Sequence, residues 1–135
     1  MEKINTLRNY THINVGASHV EMIPNWLAIT IWEGDYDGLE EVKIENDISI
    51  FKHKEVGGDV INHNVVNGLP FEDSSVQCIF SSHFIEHLTF EESINFLKEC
   101  YRVLRPNGIL RIICPDIMIW VNKIYKGTDV NFFQT

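Results

Sequence analysis

Residues Asp59 to Asp116 read DVINHNVVNGLPFEDSSVQCIFSSHFIEHLTFEESINFLKECYRVLRPNGILRIICPD. Three short apolar runs lie in this stretch: Asp59 to Val66, Val76 to Ser82 and Ile109 to Cys114. A helical pattern fills the gap between the last two. Strands that alternate with helices predict an α/β fold with a parallel sheet, because parallel neighbours need a long crossover. Ligands of such sheets collect beyond the carboxyl ends of the strands. Polar residues stand at those ends here: Asn64, then Ser81-Ser82-His83, then Asp116.

The helix has both a start and a stop signal. Thr89 is the expected cap, and Glu92 three residues on completes a capping box. Phe90, Ile94, Leu97, Tyr101 and Leu104 follow the spacing of one buried face, with Glu91, Glu92, Lys98, Glu99 and Arg102 on the wet side. Pro106-Asn107-Gly108 stops it, with Gly108 suited to a left-handed C-terminal position. Ile109 to Cys114 then reads as a strand.

Three segments together carry a family resemblance. They are Leu69-Pro70-Phe71-Glu72-Asp73-Ser74-Ser75, then Ser82-His83-Phe84-Ile85-Glu86-His87-Leu88, then Glu99 to Gly108 with its Arg102-Val103-Leu104-x-Pro-x-Gly core. In this order they resemble the second half of a class I S-adenosylmethionine-dependent methyltransferase. The branch most resembled is the bacterial type 11 and sugar- or polysaccharide-locus one. With Asn14 to Trp26 added, the resemblance covers most of residues 12 to 125.

The resemblance implies a mostly parallel Rossmann-like sheet of order 3-2-1-4-5 with flanking helices. Two more strands, the sixth and seventh, would cover strand five. The sequence after Tyr125 offers no place for them, so a sheet truncated after strand five is expected.

Composition narrows the class independently. The 135 residues suit a single domain, residues 1–135, that buries roughly two-thirds of its unfolded surface. A net charge of −8 and the lack of a basic run argue against a nucleic-acid partner. The apolar runs fall far short of the ~20 residues that span a bilayer, and no segment has the charged start and apolar middle of a signal peptide. A cytoplasmic location is the expectation. Cys78, Cys100 and Cys114 lack C-x-x-C spacing and lie in apolar runs, so they read as buried reduced thiols.

Taken in order, Met1 to Thr11 is polar and reads as a loose lead-in. His12 to Val15 is strand one, and Gly16-Ala17-Ser18 is its turn. The resemblance implies that backbone here approaches the methionine end of the cofactor. Gly16 matches the first glycine of a G-x-G motif, and Ser18 replaces the second. Leu27 to Trp32 is strand two. The resembled family ends this strand on an acid that holds the ribose hydroxyls. Thr30 stands at that place, with Glu33, Asp35 and Asp47 as substitutes nearby. Residues 39 to 51 fit either a poor helix or a hairpin turning at Glu45-Asn46-Asp47, since Val42, Ile44, Ile48 and Ile50 alternate. Gly57-Gly58 breaks the chain before strand three.

Strand three ends at His63-Asn64. Asn64 and Val65 fall where the resembled family contacts adenine, although a plain turn role also suits Asn64. Ser82 and His83 fall where acceptor and methyl should meet. His83 is the candidate base, since a histidine ordinarily titrates near neutrality. Glu86 and His87 would orient the turn. The cofactor-side set is therefore Val15, Gly16, Ala17, Ser18, Thr30, Asn64, Val65 and Ser82. The cofactor implied is S-adenosylmethionine, with S-adenosylhomocysteine as product, and the partner a small-molecule acceptor.

His83-Phe84-Ile85-Glu86-His87 also matches the H-x-x-E-H pattern of zinc peptidases. That site needs a long helix and a third ligand, and the motif here follows a strand directly. No metal is expected. After Asp116, a short helix with Ile117, Trp120, Val121 and Ile124 on one face should end near Gly127. An uncovered strand five would be an apolar sheet edge, and a homo-oligomer through it is expected. A non-catalytic relative of the enzymes is the alternative reading, because Ser18, Thr30 and Asn64 depart from the family pattern.

Overall fold

The structure is a computed structural model that describes residues 7, 9–17, 23–34, 38–45, 48–55 and 57–127. The strands are β1 (His12–Val15), β2 (Leu27–Thr30), β3 (Leu39–Glu45), β4 (Ile48–His53), β5 (Asp59–Asn62), β6 (Val76–Ser82) and β7 (Leu104–Ile113). Two α-helices follow β6 and β7: α1 (Phe90–Val103) and α2 (Ile117–Tyr125). All seven strands join one sheet of order β3-β4-β5-β2-β1-β6-β7.

The five strands read from the sequence are β1, β2, β5, β6 and β7. They are parallel and lie in the expected relative order. The expectation of a five-strand sheet is corrected. β3 and β4 form an antiparallel hairpin that adds two strands outside β5, so the sheet is mixed. Of the two readings left open for residues 39 to 51, the hairpin is the structure. The alternation of Val42, Ile44, Ile48 and Ile50 carries it, because period two suits a strand and not a helix.

β1 lies between β2 and β6 and is buried on both faces: Ile13, Asn14 and Val15 are all inaccessible. The main core lies between the sheet and α1. There Ile13, Val15, Ile79, Phe96, Cys100 and Val103 meet. The other face carries a smaller cluster of Ala17, Ala28 and Val60 under Trp32, Leu39 and Phe51. The lead-in is not wholly loose. Leu7 is buried in the main core, and the Thr11 carbonyl accepts from the Gln77 and Cys78 amides at 2.7 and 3.1 Å.

The capping box at Thr89 and Glu92 is formed as expected. The buried face of α1 is not the expected one. Phe96, Cys100 and Val103 face the core, whereas Phe90 and Tyr101 are 83% and 86% exposed. A polar anchor explains the rotation. The Arg102 guanidinium donates to the Leu69 and Phe71 carbonyls, each at 2.9 Å. It also donates to the carboxylates of Glu99 and Asp73. The Glu99 carboxylate in turn accepts from the Leu69 amide at 2.8 Å. Glu99 and Arg102 therefore turn toward the Leu69–Asp73 loop and not outward to water. The residues beside them, Cys100 and Val103, are carried against the sheet. These hydrogen bonds to Arg102 hold the Glu99 carboxyl below its ordinary pKa against the opposing effect of burial.

α1 ends at Val103, and Leu104, expected on the helix, already begins β7. The left-handed residue in Pro106-Asn107-Gly108 is Asn107, with φ 64°. Gly108 serves close approach instead: a Cβ there would lie 2.9 Å from the Arg105 carbonyl and 3.1 Å from that of Gln77. Because β7 ends at Ile113, Cys114 is exposed, which corrects the buried reading. Cys78 is half-buried. Cys100 is buried, and burial pushes its thiol up to about 12. α2 is capped by Asp116, whose carboxylate accepts from the Met118 amide. None of its residues is buried, so its apolar face lies open.

Candidate functional site

The carboxyl ends of β1, β2, β5, β6 and β7 share one edge of the sheet. From β1 the chain first builds strands on one side, then crosses to β6 on the other. The point where the order reverses lies beyond the ends of β1 and β6, where sheets of this kind form their ligand crevice. Gly16-Ala17 follows β1 there, and Ser82-His83 closes β6. Val15 is the register partner of Ser81, so these two turns leave the sheet at the same level.

Gly16 is left-handed at φ 73°, and its amide donates to the Ile29 carbonyl at 2.8 Å. The space that its missing Cβ leaves is taken by Phe84, three of whose carbons would lie within 2.7 Å of a Cβ. Val15 and Val65 are core residues, so only their backbones could touch a ligand. Ala17 is buried on the opposite sheet face. Ser18, Asp35 and Asp47 lie outside the described residues. Glu33 is exposed beyond β2.

Thr30 is half-buried at the end of β2, and its carbonyl accepts from the His63 amide at 3.0 Å. Asn64 has the plain turn role that the sequence allowed: its side-chain carbonyl accepts from the Val66 amide at 3.2 Å and caps the one-turn helix Val65–Asn67. Ser82 is half-buried.

His83, the candidate base, directly follows β6. It is left-handed at φ 52°, uncommon for any residue with a Cβ. Its amide donates to the Ile113 carbonyl at 2.9 Å, which ties the turn to β7. The side chain is 60% exposed, with Nδ1 3.6 Å from the Glu86 carboxylate. Ile85–His87 makes only a single 3-10 turn. His83 precedes that turn, so it does not share a helical face with His87. Among the described residues, no group of three His, Cys, Asp or Glu stands close enough to hold a metal ion.

Four residues at this edge were given no role of their own in the sequence reading. The Asn62 side chain clasps the Trp32 backbone, donating to its carbonyl at 2.9 Å and accepting from its amide at 3.3 Å. His63 Nε2 donates to the Gly68 carbonyl at 2.7 Å. The Ser81 hydroxyl is buried with no hydrogen-bond partner among the described residues. Phe84 covers Gly16. Asn62, His63 and Ser81 were visible only as polar residues at the ends of apolar runs. Phe84 was visible only as an apolar position within the Ser82–Leu88 segment.

The methyltransferase domain family matches residues 41–112, more than half of the chain. Over 75 residues the chain is 38% identical to a probable S-adenosylmethionine-dependent methyltransferase of Mycolicibacterium smegmatis, covering 56% of this chain and 28% of that protein. Over 67 residues it is 34% identical to a probable S-adenosylmethionine-dependent methyltransferase of Mycobacterium tuberculosis, covering 50% and 23%. The chain thus spans about a quarter of the length of the curated relatives it matches, 28% and 23%. No solved structure matches. The family match and the parallel five-strand order that reverses between β1 and β6 agree, and the chain belongs to the methyltransferase domain family, in its class I α/β form.

Proposed function

We propose that the protein transfers a methyl group from S-adenosylmethionine to a small-molecule acceptor, a sugar or cell-envelope precursor by the branch it resembles. The observation that carries this reading is the reversal of strand order between β1 and β6, with a left-handed glycine following one strand and an exposed, left-handed histidine closing the other. The groups present fit a nucleoside-bearing cofactor in kind. Thr30 and Ser82 bring hydroxyls, Asn64 an amide, and Ser81 a buried hydroxyl that lacks a partner among the described residues.

When bound, the cofactor supplies a methyl group that is already electrophilic, so alignment is most of the remaining task. The Gly16-Ala17 turn would border its methionine part. Thr30 would take a ribose hydroxyl, and Asn64 with the Val65 backbone would face adenine. His83 would accept the proton of the acceptor, with Glu86 steadying the imidazole. Ser18 and His87 complete the proposed set, His87 by shaping the turn through its amide bond to the Phe84 carbonyl at 3.0 Å.

Calorimetric titration with S-adenosylhomocysteine tests this. Wild type should bind, and Thr30→Asp should bind about five- to thirtyfold more tightly, since a carboxylate can accept from both ribose hydroxyls. Weaker binding by the variant would move the ribose to a neighbouring acid. No binding by either protein would favour a non-catalytic member of the family, a reading to which the Phe84 ring over Gly16 lends some support.

A cytoplasmic setting belongs to the same proposal and rests on the three unpaired cysteines. So does pairing of two copies along β7, which among the described residues has a neighbour in the sheet on one side only and leaves Ile109 59% exposed. Light scattering should then show dimers that Ile109→Lys returns to monomers. Wild type that stays monomeric at high concentration would rule the pairing out. Among the described residues, no helix is long and apolar enough to cross a membrane.

A further inference from the structure

We propose that Phe84 is a positioning residue that clasps the Gly16 turn and thereby holds His83 in its left-handed conformation at the mouth of the crevice. The chain leaves β6 through Ser82, turns at His83 with φ 52°, and enters Phe84 at φ −123° and ψ −50°. That turn sends the Phe84 side chain back across the end of β1. Its Cβ, Cγ and Cδ2 would lie 2.5 to 2.7 Å from a Cβ on Gly16, so they fill the space over the glycine. The ring then meets the buried Phe96 edge to face, with centroids 5.4 Å apart. Phe84 is thus pinned between the Gly16 turn and α1.

The two residues are linked by one peptide bond, and they need each other. A non-glycine residue keeps a positive φ only where its surroundings over-determine it. Here one side of His83 is fixed by the amide bond to the Ile113 carbonyl. The other side is fixed by the docked Phe84 ring. The Gly16 turn and the His83 turn come from the two strands that flank the crevice, so the same contact sets the spacing of its walls. On this view the glycine at 16 is required by an aromatic ring of the protein itself. The link to cofactor binding rests on the methyltransferase reading; the link to the conformation of His83 does not.

The test uses NMR couplings that report φ at residue 83, recorded on wild type, Phe84→Leu and Phe84→Ala, with S-adenosylhomocysteine titrations alongside. Phe84→Ala should release residue 83 to a negative φ and weaken ligand binding about tenfold or more, whereas Phe84→Leu, which still fills the space over Gly16, should keep both near wild type. A folded Phe84→Ala protein with residue 83 still at positive φ would overturn the proposal. If Phe84→Ala does not fold, Phe84→Val gives the same readout with a smaller side chain than leucine. A second measurement is a stability cycle: His83→Gly should stabilise wild type and lose that effect once the ring is truncated, and equal effects in both backgrounds would also overturn it. Wild type that binds no S-adenosylhomocysteine, while truncation of the ring still releases residue 83, would leave the clasp standing and remove the cofactor reading.

Discussion

The two ends of β6 are held in opposite ways. At its start, the Leu69–Ser75 loop is stapled to α1. Arg102 gathers the Leu69 and Phe71 carbonyls and the Asp73 carboxylate, and the Ser74 and Ser75 amides donate to the Arg102 and Val103 carbonyls. Every donor and acceptor named in that web has a partner, and the left-handed residue in the loop, Ser74 at φ 53°, has its amide bonded to the Arg102 carbonyl. At its end, β6 runs into a buried hydroxyl without a partner among the described residues, a left-handed histidine and an aromatic ring pressed on a left-handed glycine. Strain of this kind collects at functional sites and is held there by rigid surroundings. The motif residues that reveal the family thus divide into two kinds. Those of the loop and of α1 build a frame, and those after β6 form the candidate site beside it.

That contrast can be broken from either end. Gly16→Val strikes the strained end hardest, because valine must adopt φ 73° and displace Phe84. It should cost about 3 kcal/mol or more, a fall in melting temperature on the order of 10 °C. Ligand binding should be lost with it. A normal melting curve for Gly16→Val would mean that the ring is not fixed over the glycine.

Arg102→Met tests the stapled end. The side chains of Arg102 and Glu99 are 29% and 26% exposed, so solvent screens part of the interaction. Loss of about 2 kcal/mol is expected, mostly from carbonyls and a carboxylate left without a donor. Arg102→Lys should not restore it, since one ammonium cannot reach the positions the planar fork spans. A variant as stable as wild type would make the web ornamental.

The same web has a pH signature. Glu99 has a lowered pKa in the folded state, so its contribution is fully present above the ordinary glutamate value and disappears as pH falls below it. The gap in melting temperature between wild type and Glu99→Gln should therefore shrink as pH drops from about 7 to about 3. A gap that does not change over that range would show that the charge on Glu99 adds nothing.

Legibility in the sequence follows the same division. Local signals were readable wherever one segment decides its own structure. The capping box at Thr89, the cap at Asp116 and the alternation that makes the β3–β4 hairpin all depend on residues a few positions apart. The rotation of α1 was not readable, because Arg102 bonds to carbonyls about thirty residues away, at Leu69 and Phe71. Apolar spacing alone therefore chose Phe90 and Tyr101 for a core they do not enter. Asn64 could be placed at the end of a strand but not assigned between cap and ligand, since both roles use the same side chain. Phe84 was invisible for a simpler reason. Nothing in its neighbours announces that the chain reverses at His83 and lays that ring across the end of another strand.

The central place of β1 also bears on the order in which the chain can fold. In β6–β7 pairing, Ile79 meets Leu110, and in β1–β2 pairing Ile13 meets Leu27, so both close short loops. Pairing of β1 with β6 joins Ile13 to Ile79 and closes a much longer one. The added loop entropy is about 0.7 to 1.4 kcal/mol, incurred before any contact across that pair is made. The two halves of the sheet can each form on their own local contacts, and the seam between them comes last. That seam is where the candidate site lies, so its residues come together only once the whole sheet has closed.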